Sequence, residues 1–209
     1  MTFSANLLAE LAAQLLASDD LPPIVQAGHP ALRAQAERFD GQLDDGQLAG
    51  LIALMRKVMH AAPGVGLAAP QLGLPLQLAV LEDHSELPAD AAEQRRREPL
   101  DFVAVLNPVY TALGEETAGF YEGCLSVRGW QAVVERPLRV RLDYQDPTGA
   151  ARSREFEGWS ARIVQHETDH LAGTLYIDRA LTRSLASNAE YARRWAQPGI
   201  GQARRGLGF

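Results

Sequence analysis

Apolar positions recur along this chain with two periods, one helical and one alternating, and together they predict a mixed fold. Ser4 followed by Leu7, Leu8, Leu11, Leu15 and Leu16 combines an N-cap residue with helical spacing, which predicts a short helix within an N-terminal extension over residues 1–20. Leu48, Leu51, Ile52, Met55, Val58 and Met59 follow the i, i+3, i+4, i+7 rule, so a second helix buries its methionines and turns Lys57 and His60 outward. Pro63 ends it. Leu76–Leu81, Phe102–Leu106, Gln131–Val134 and Leu138–Tyr144 are rich in apolar and β-branched residues and predict strands. Asp146-Pro147-Thr148-Gly149 has turn chemistry, so Arg139–Gln145 and Arg152–Glu157 are expected to form a hairpin.

The remaining stretches read as connections. Residues 82–99 are charged and proline-flanked, and are expected to form an exposed insertion with His84 and the run Arg95–Arg97 in water. Asn107-Pro108 is read as a turn, Tyr176–Asp178 as an extended exit, and Asn188–Ala196 as a last helix before a glycine-rich tail, within a C-terminal stretch 184–209. Antiparallel strands with a few separate helices argue for an α+β fold rather than a doubly wound one. With 209 residues and 46% hydrophobic composition, the chain suits a single domain over residues 1–209.

Composition narrows the partners. A net charge of −6 gives no broad attraction to nucleic acid or to an anionic membrane. No apolar run approaches the roughly 20 residues of a membrane span, and the N-terminus lacks the pattern of a secretory signal, so a cytoplasmic location is expected. Cys124 is the single cysteine, which excludes an intrachain disulfide. Arg193, Arg194, Arg204 and Arg205 make the C-terminal end locally basic, which suggests either a solvated tail or a contact with the ribosome.

The chemistry concentrates in Gln165–Gly173, QHETDHLAG, which contains HExxH. On a helix, His166 and His170 stack on one face and can reach one metal ion, while Glu167 points about 100° away from His166, near a water on that ion. The plainer alternative is a polar helix face with solvated histidines. Against it, Trp159, Ile163, Val164 and Leu171 mark this helix as partly buried, and buried histidines need partners. Gly173 is expected just past the helix end. A catalytic site of this kind needs a third protein ligand and one open position. Cys124 and Glu190, which lies 20 residues after His170, are both candidates.

Two further stretches stand out. Gly64–Gln71, GVGLAAPQ, has almost no side-chain bulk, so its backbone can approach a ligand closely or pack tightly against its neighbours. Glu122–Ser126, EGCLS, surrounds the cysteine. In this order, GVGLAAPQ, EGCLS and QHETDHLAG resemble the three signature motifs of peptide deformylases, and Pro23–Arg33 and Asn107-Pro108 are also similar to the family's usual sequence. Where the family usually has proline after EGCLS-V this chain has Arg128, which bears on the cleft rim and not on the ligands.

The resemblance implies an α+β fold with antiparallel sheets packed around a central helix carrying HExxH. It implies Cys124, His166 and His170 as metal ligands, Fe(2+) as the native ion with Zn, Ni or Co able to substitute, and Glu167 as the proton carrier. Gln71 and the Leu125 N–H are implied as oxyanion donors. Val65, Gly66 and Gly123 would hold the peptide backbone, and Trp159, Arg162 and Ile163 would line the methionine pocket. Glu122 and Asp169 are expected to position the site. The implied reaction releases formate from N-formylmethionyl nascent peptides. Two rivals stand beside it, a zinc endopeptidase using Glu190 and a non-enzymatic domain with a structural metal, which needs a fourth protein ligand although there is no second cysteine and His29, His60 and His84 lie outside the motifs.

Overall fold

The computed structural model describes residues 3–85 and 88–209. Helix α1 (Ala5–Leu16) is capped by the Ser4 hydroxyl, which accepts from the Leu7 N–H, and buries Leu8 and Ala12. Helix α2 (Asp45–Ala61) begins with a capping box between Asp44 and Gln47. All six residues of its expected apolar stripe are buried, and α1 packs on α2 within one core cluster.

Strand β1 (Gly66–Ala68) leads through a tight turn of 3-10 helix, Ala69–Leu72, to β2 (Leu78–Asp83). Helix α3 (Ala89–Arg95), β3 (Leu100–Ala112), β4 (Thr117–Cys124), β5 (Val127–Pro137), β6 (Arg139–Gln145) and β7 (Ala151–Glu157) follow. The last part comprises α4 (Gly158–Leu171), α5 (Tyr176–Arg179), β8 (Ala186–Ser187), α6 (Asn188–Glu190) continuing into a wide turn over Tyr191–Trp195, and α7 (Gly201–Leu207). Two antiparallel sheets result, one ordered β1-β2-β3-β6-β7 and the other β4-β5-β8. The fold is α+β, as the element order predicts.

Helix α4 touches both sheets. Ala161, Val164 and Leu171 enter a core with Ala79, Leu81, Val105, Val140 and Leu142, so an apolar face fixes the helix against the larger sheet. Its start is set sterically. Gly158 has φ of 62°, and a Cβ there would lie 2.4 Å from the Arg96 carbonyl oxygen. Gly173 has φ of 72° just past the last turn and donates its N–H to the His170 carbonyl.

Four expectations are corrected. The 82–99 segment is exposed over most of its described length, His84 and Arg96 included, but is tied to the core near its end, because Arg97 forms a bidentate pair with the buried Asp83, and Arg95 and Arg97 lie 5.1 and 5.4 Å from the Trp159 ring. The arginine run therefore serves as a platform for the start of α4; residues 86 and 87 lie outside the described residues. Asn107-Pro108 lies inside β3, where a register shift between Leu106 and Val109 absorbs the proline. Asn107, at φ of 52°, uses its side chain to bond both backbone groups of Phe39. Tyr176–Arg179 is one helical turn, because the Asp178 carboxylate accepts from the Leu175 N–H. The glycine-rich tail is helical over α7, where Ala203 is buried and Arg204 pairs with Glu135 at 3.0 Å, so Asn188–Ala196 is not the last helix.

Candidate metal centre and substrate cleft

Alternation along β4 prepares the site. Ala118, Phe120, Glu122 and Cys124 share one strand face, and Glu122 meets α4 there. The two histidines rise from the last turns of α4, and their rings lie 5.1 Å apart. Cys124 Sγ is 3.3 Å from His170 Nε2. One donor atom each from Cys124, His166 and His170 falls within 4.8 Å of the others. Among the described residues no fourth His, Cys, Asp or Glu joins them. Glu190 instead pairs with Arg193 and Arg194 at 3.1 and 2.7 Å.

The surroundings orient these donors. His166 Nδ1 lies 3.0 Å from Glu122 Oε2, which turns Nε2 toward the cysteine. Glu122 is itself held by Arg136 and Arg162, and Arg136 reaches on to Asp169 at 2.8 Å. Asp169 also accepts from Tyr110 and Arg179. Sequence reasoning missed Arg136. An arginine in a strand of alternating character carries no local sign of burial, and its role follows only from the docking of α4.

Electrostatics fit a cation. Burial opposes charge on His166, but its contacts with Cys124 and the Glu122 carboxylate outweigh it and raise its pKa well above the usual histidine value. Burial and the charge of His166 lower that of His170. A thiolate with two imidazoles is a donor set suited to borderline and softer divalent metals. The residues present therefore fit a metal.

Glu167 is buried beside this group, and its Oε2 has no hydrogen-bond partner among the described residues. Burial raises its pKa to about 7, against the pull of His166 and Arg136. A proton carrier near neutral pH is poised to work in both directions. Gly66 makes room for it, since a Cβ there would lie 2.4 Å from Glu167 Oε1. The choice left open for GVGLAAPQ is thus resolved at this glycine by close packing on the glutamate.

Gln71 is 1% exposed, and its orientation is fixed. Its Oε1 accepts from the Ala68 N–H at 2.8 Å, which leaves Nε2 to face Ser126 Oγ at 3.2 Å and Cys124 Sγ at 3.7 Å. A cleft of about 590 Å³ opens here, between β1 on one side and β4 with the β4–β5 turn on the other. Val65, Gly66, Gln71, Gly123, Leu125, Trp159, Arg162, Ile163, His166 and Glu167 all border it. The Arg162 guanidinium is occupied by Glu122 and by the carbonyls of Val134 and Ala118, so its aliphatic stem is what remains for the cleft. Asn188 and Tyr191 also line it, and neither was expected from the sequence.

Comparison with known proteins identifies the family. Residues 21–185 match the family model described as polypeptide deformylase. The chain is 54% identical over 202 residues to peptide deformylase 3 of Streptomyces avermitilis, covering 97% of this chain and 90% of that protein. It is 52% identical to peptide deformylase 1 of Streptomyces coelicolor, with 97% and 93% covered. Among solved structures, a Met-Ala-Ser-bound class I type b peptide deformylase from Acinetobacter baumannii is similar with a TM-score of 0.69 and 30% identity, over 77% of this chain and 100% of that one.

Proposed function

The chain belongs to the polypeptide deformylase family, and from that membership we propose a role for each residue of the cleft. The protein is a metal-dependent hydrolase that removes the formyl group from N-formylmethionyl peptides and releases formate. One observation carries the assignment of roles, namely the convergence of Cys124, His166 and His170 with the buried, unpartnered Glu167 beside them.

Cys124 Sγ, His166 Nε2 and His170 Nε2 would hold the ion, which we assign as Fe(2+), with Zn, Ni or Co able to substitute. A divalent ion there supplies Lewis acidity and makes water a nucleophile near neutral pH. Glu167 takes the proton of the attacking water and passes it to the leaving amine nitrogen. Gln71 Nε2 and the Leu125 N–H donate to the formyl oxygen as negative charge builds there. Each such donor is worth roughly 2.7–4 kcal/mol. The backbone at Val65, Gly66 and Gly123 aligns the peptide as an added strand, and Trp159, Ile163 and the stem of Arg162 receive the methionine side chain. Glu122 and Asp169 position the histidines.

The test is formate release from a formyl-Met dipeptide by anaerobically purified, Fe(2+)-loaded protein beside its Glu167→Ala variant. Loss of about 10²- to 10⁴-fold is expected. Internal cleavage of an unformylated peptide, without formate release, would replace this reading with the endopeptidase.

We place the protein in the cytoplasm, where nascent chains carry the formyl group; no described helix is long and apolar enough to cross a membrane. We also propose that Arg193, Arg194, Arg204 and Arg205 meet the ribosome. Since the C-terminal segment packs on the body of the protein, charge exchange tests this better than truncation. Arg194→Glu with Arg205→Glu should weaken co-sedimentation with ribosomes at low salt, and unchanged sedimentation would end the idea.

A further inference from the structure

The family match ends at residue 185, yet two side chains beyond it line the cleft. The reason lies in the edge position of β4. Its even-numbered residues face α4, while Gly119, Tyr121 and Gly123 face the other way, toward the C-terminal segment. A Cβ on Gly119 would lie 2.9 Å from Ile200, so this segment is closely fitted to that face. Tyr121 and Tyr191 pack ring against ring at a tilt of 58°, with centroids 4.9 Å apart. Strand β8 pairs with β5 at Trp130–Ser187 and Gln131–Ala186, and Gln131 Nε2 bonds Asn188 Oδ1 at 3.3 Å. The Tyr121 hydroxyl is buried with no hydrogen-bond partner among the described residues.

A peptide lying along β4 as an added strand sends successive side chains to opposite faces. If the methionine side chain points toward α4, the next points toward Tyr121, Tyr191 and Asn188. We propose that the C-terminal segment Ala186–Trp195 is part of the substrate site, and that Tyr121, Tyr191 and Asn188 form a subsite for the residue after formylmethionine, favouring an aromatic side chain. The walls offer two phenol rings and one amide. Bordering this part of the cleft are Arg128 and neutral groups, whereas Glu122 is turned to the other face and neutralised. The proposal rests on the deformylase reading and adds specificity to it.

The experiment measures kcat/KM for formyl-Met-Phe, formyl-Met-Ala, formyl-Met-Lys and formyl-Met-Glu with Fe(2+)-loaded, full-length protein. The readout is a ratio within one protein, so any loss common to all substrates cancels. Wild type should prefer Phe over Ala, and Tyr191→Ala should reduce that ratio about two- to tenfold, the range of one aromatic pair. Tyr191→Phe should restore it. Asn188→Asp should shift the Lys-to-Glu ratio toward Lys by about two- to fivefold, as expected for a solvent-accessible charge pair. Formate release with both ratios unmoved would overturn the subsite alone. No release from any formylated dipeptide would overturn the deformylase reading, and the subsite with it.

Discussion

The hairpins β4–β5 and β6–β7 both set arginines and carboxylates among apolar side chains, yet the ion pairs at Glu122–Arg136 and at Arg139–Glu155 have opposite fates. On β6–β7 they face water, where Arg139 pairs with Glu155 and Arg141 with Asp143, all about half exposed. On β4–β5 Glu122 and Arg136 are within a few percent of full burial, and every strong donor and acceptor they offer toward α4 is used. An exposed pair contributes little because water solvates either partner alone. A buried one fixes geometry because neither partner can be left behind without large cost. In this protein the buried network ends on His166, so the cost is spent on holding a donor atom in place.

Three outcomes would break or sharpen this contrast. Arg136→Ala should cost about 3–5 kcal/mol of stability in urea unfolding, because it removes the buried cation that Glu122 and Asp169 share and leaves each with fewer partners. A loss under 1 kcal/mol would mean the network is not holding α4. Glu122→Gln should keep the fold but weaken metal affinity about 10- to 100-fold, read by competition with a chelator. Arg139→Ala on the other hairpin should change stability by less than about 1 kcal/mol.

The smallest effect is a pH dependence at the β6–β7 turn. Thr148 and Arg152 lower the Asp146 pKa to about 2 from its ordinary 3.8. Because the folded pKa lies below the unfolded one, its contribution is present above pH 3.8 and is lost as pH falls through 2. Asp146→Asn should therefore flatten the stability profile slightly within that window and leave it unchanged near neutrality. An unaltered acid limb would show that the turn does not depend on this carboxylate.

Much of the site was legible because its spacings are short. His166 and His170 share a face by helical geometry alone, and Gly64–Gln71 and Glu122–Ser126 announce backbone close to chemistry through missing bulk. The α2 stripe and the Arg139–Glu157 hairpin were readable for the same reason, since period and turn chemistry are local. Local reading failed where a polar residue had a distant partner. Arg95 and Arg97 looked solvated until Asp83 and Trp159 supplied their contacts, and Asn107-Pro108 looked like a turn until Phe39 satisfied the asparagine.

The sequence by itself determined the strongly periodic elements, the two-histidine face and the reaction class, because each depends on intervals of a few residues or on three ordered motifs. Only the tertiary structure decided that Cys124, 42 positions before His166, and not Glu190, stands beside the histidines. It alone placed Arg136 behind His166 and carried Tyr191 and Asn188 into the cleft. Those choices depend on how an edge strand, a buried helix and a C-terminal segment dock, and docking is set by burial and charge satisfaction summed over contacts that no local interval in the chain encodes.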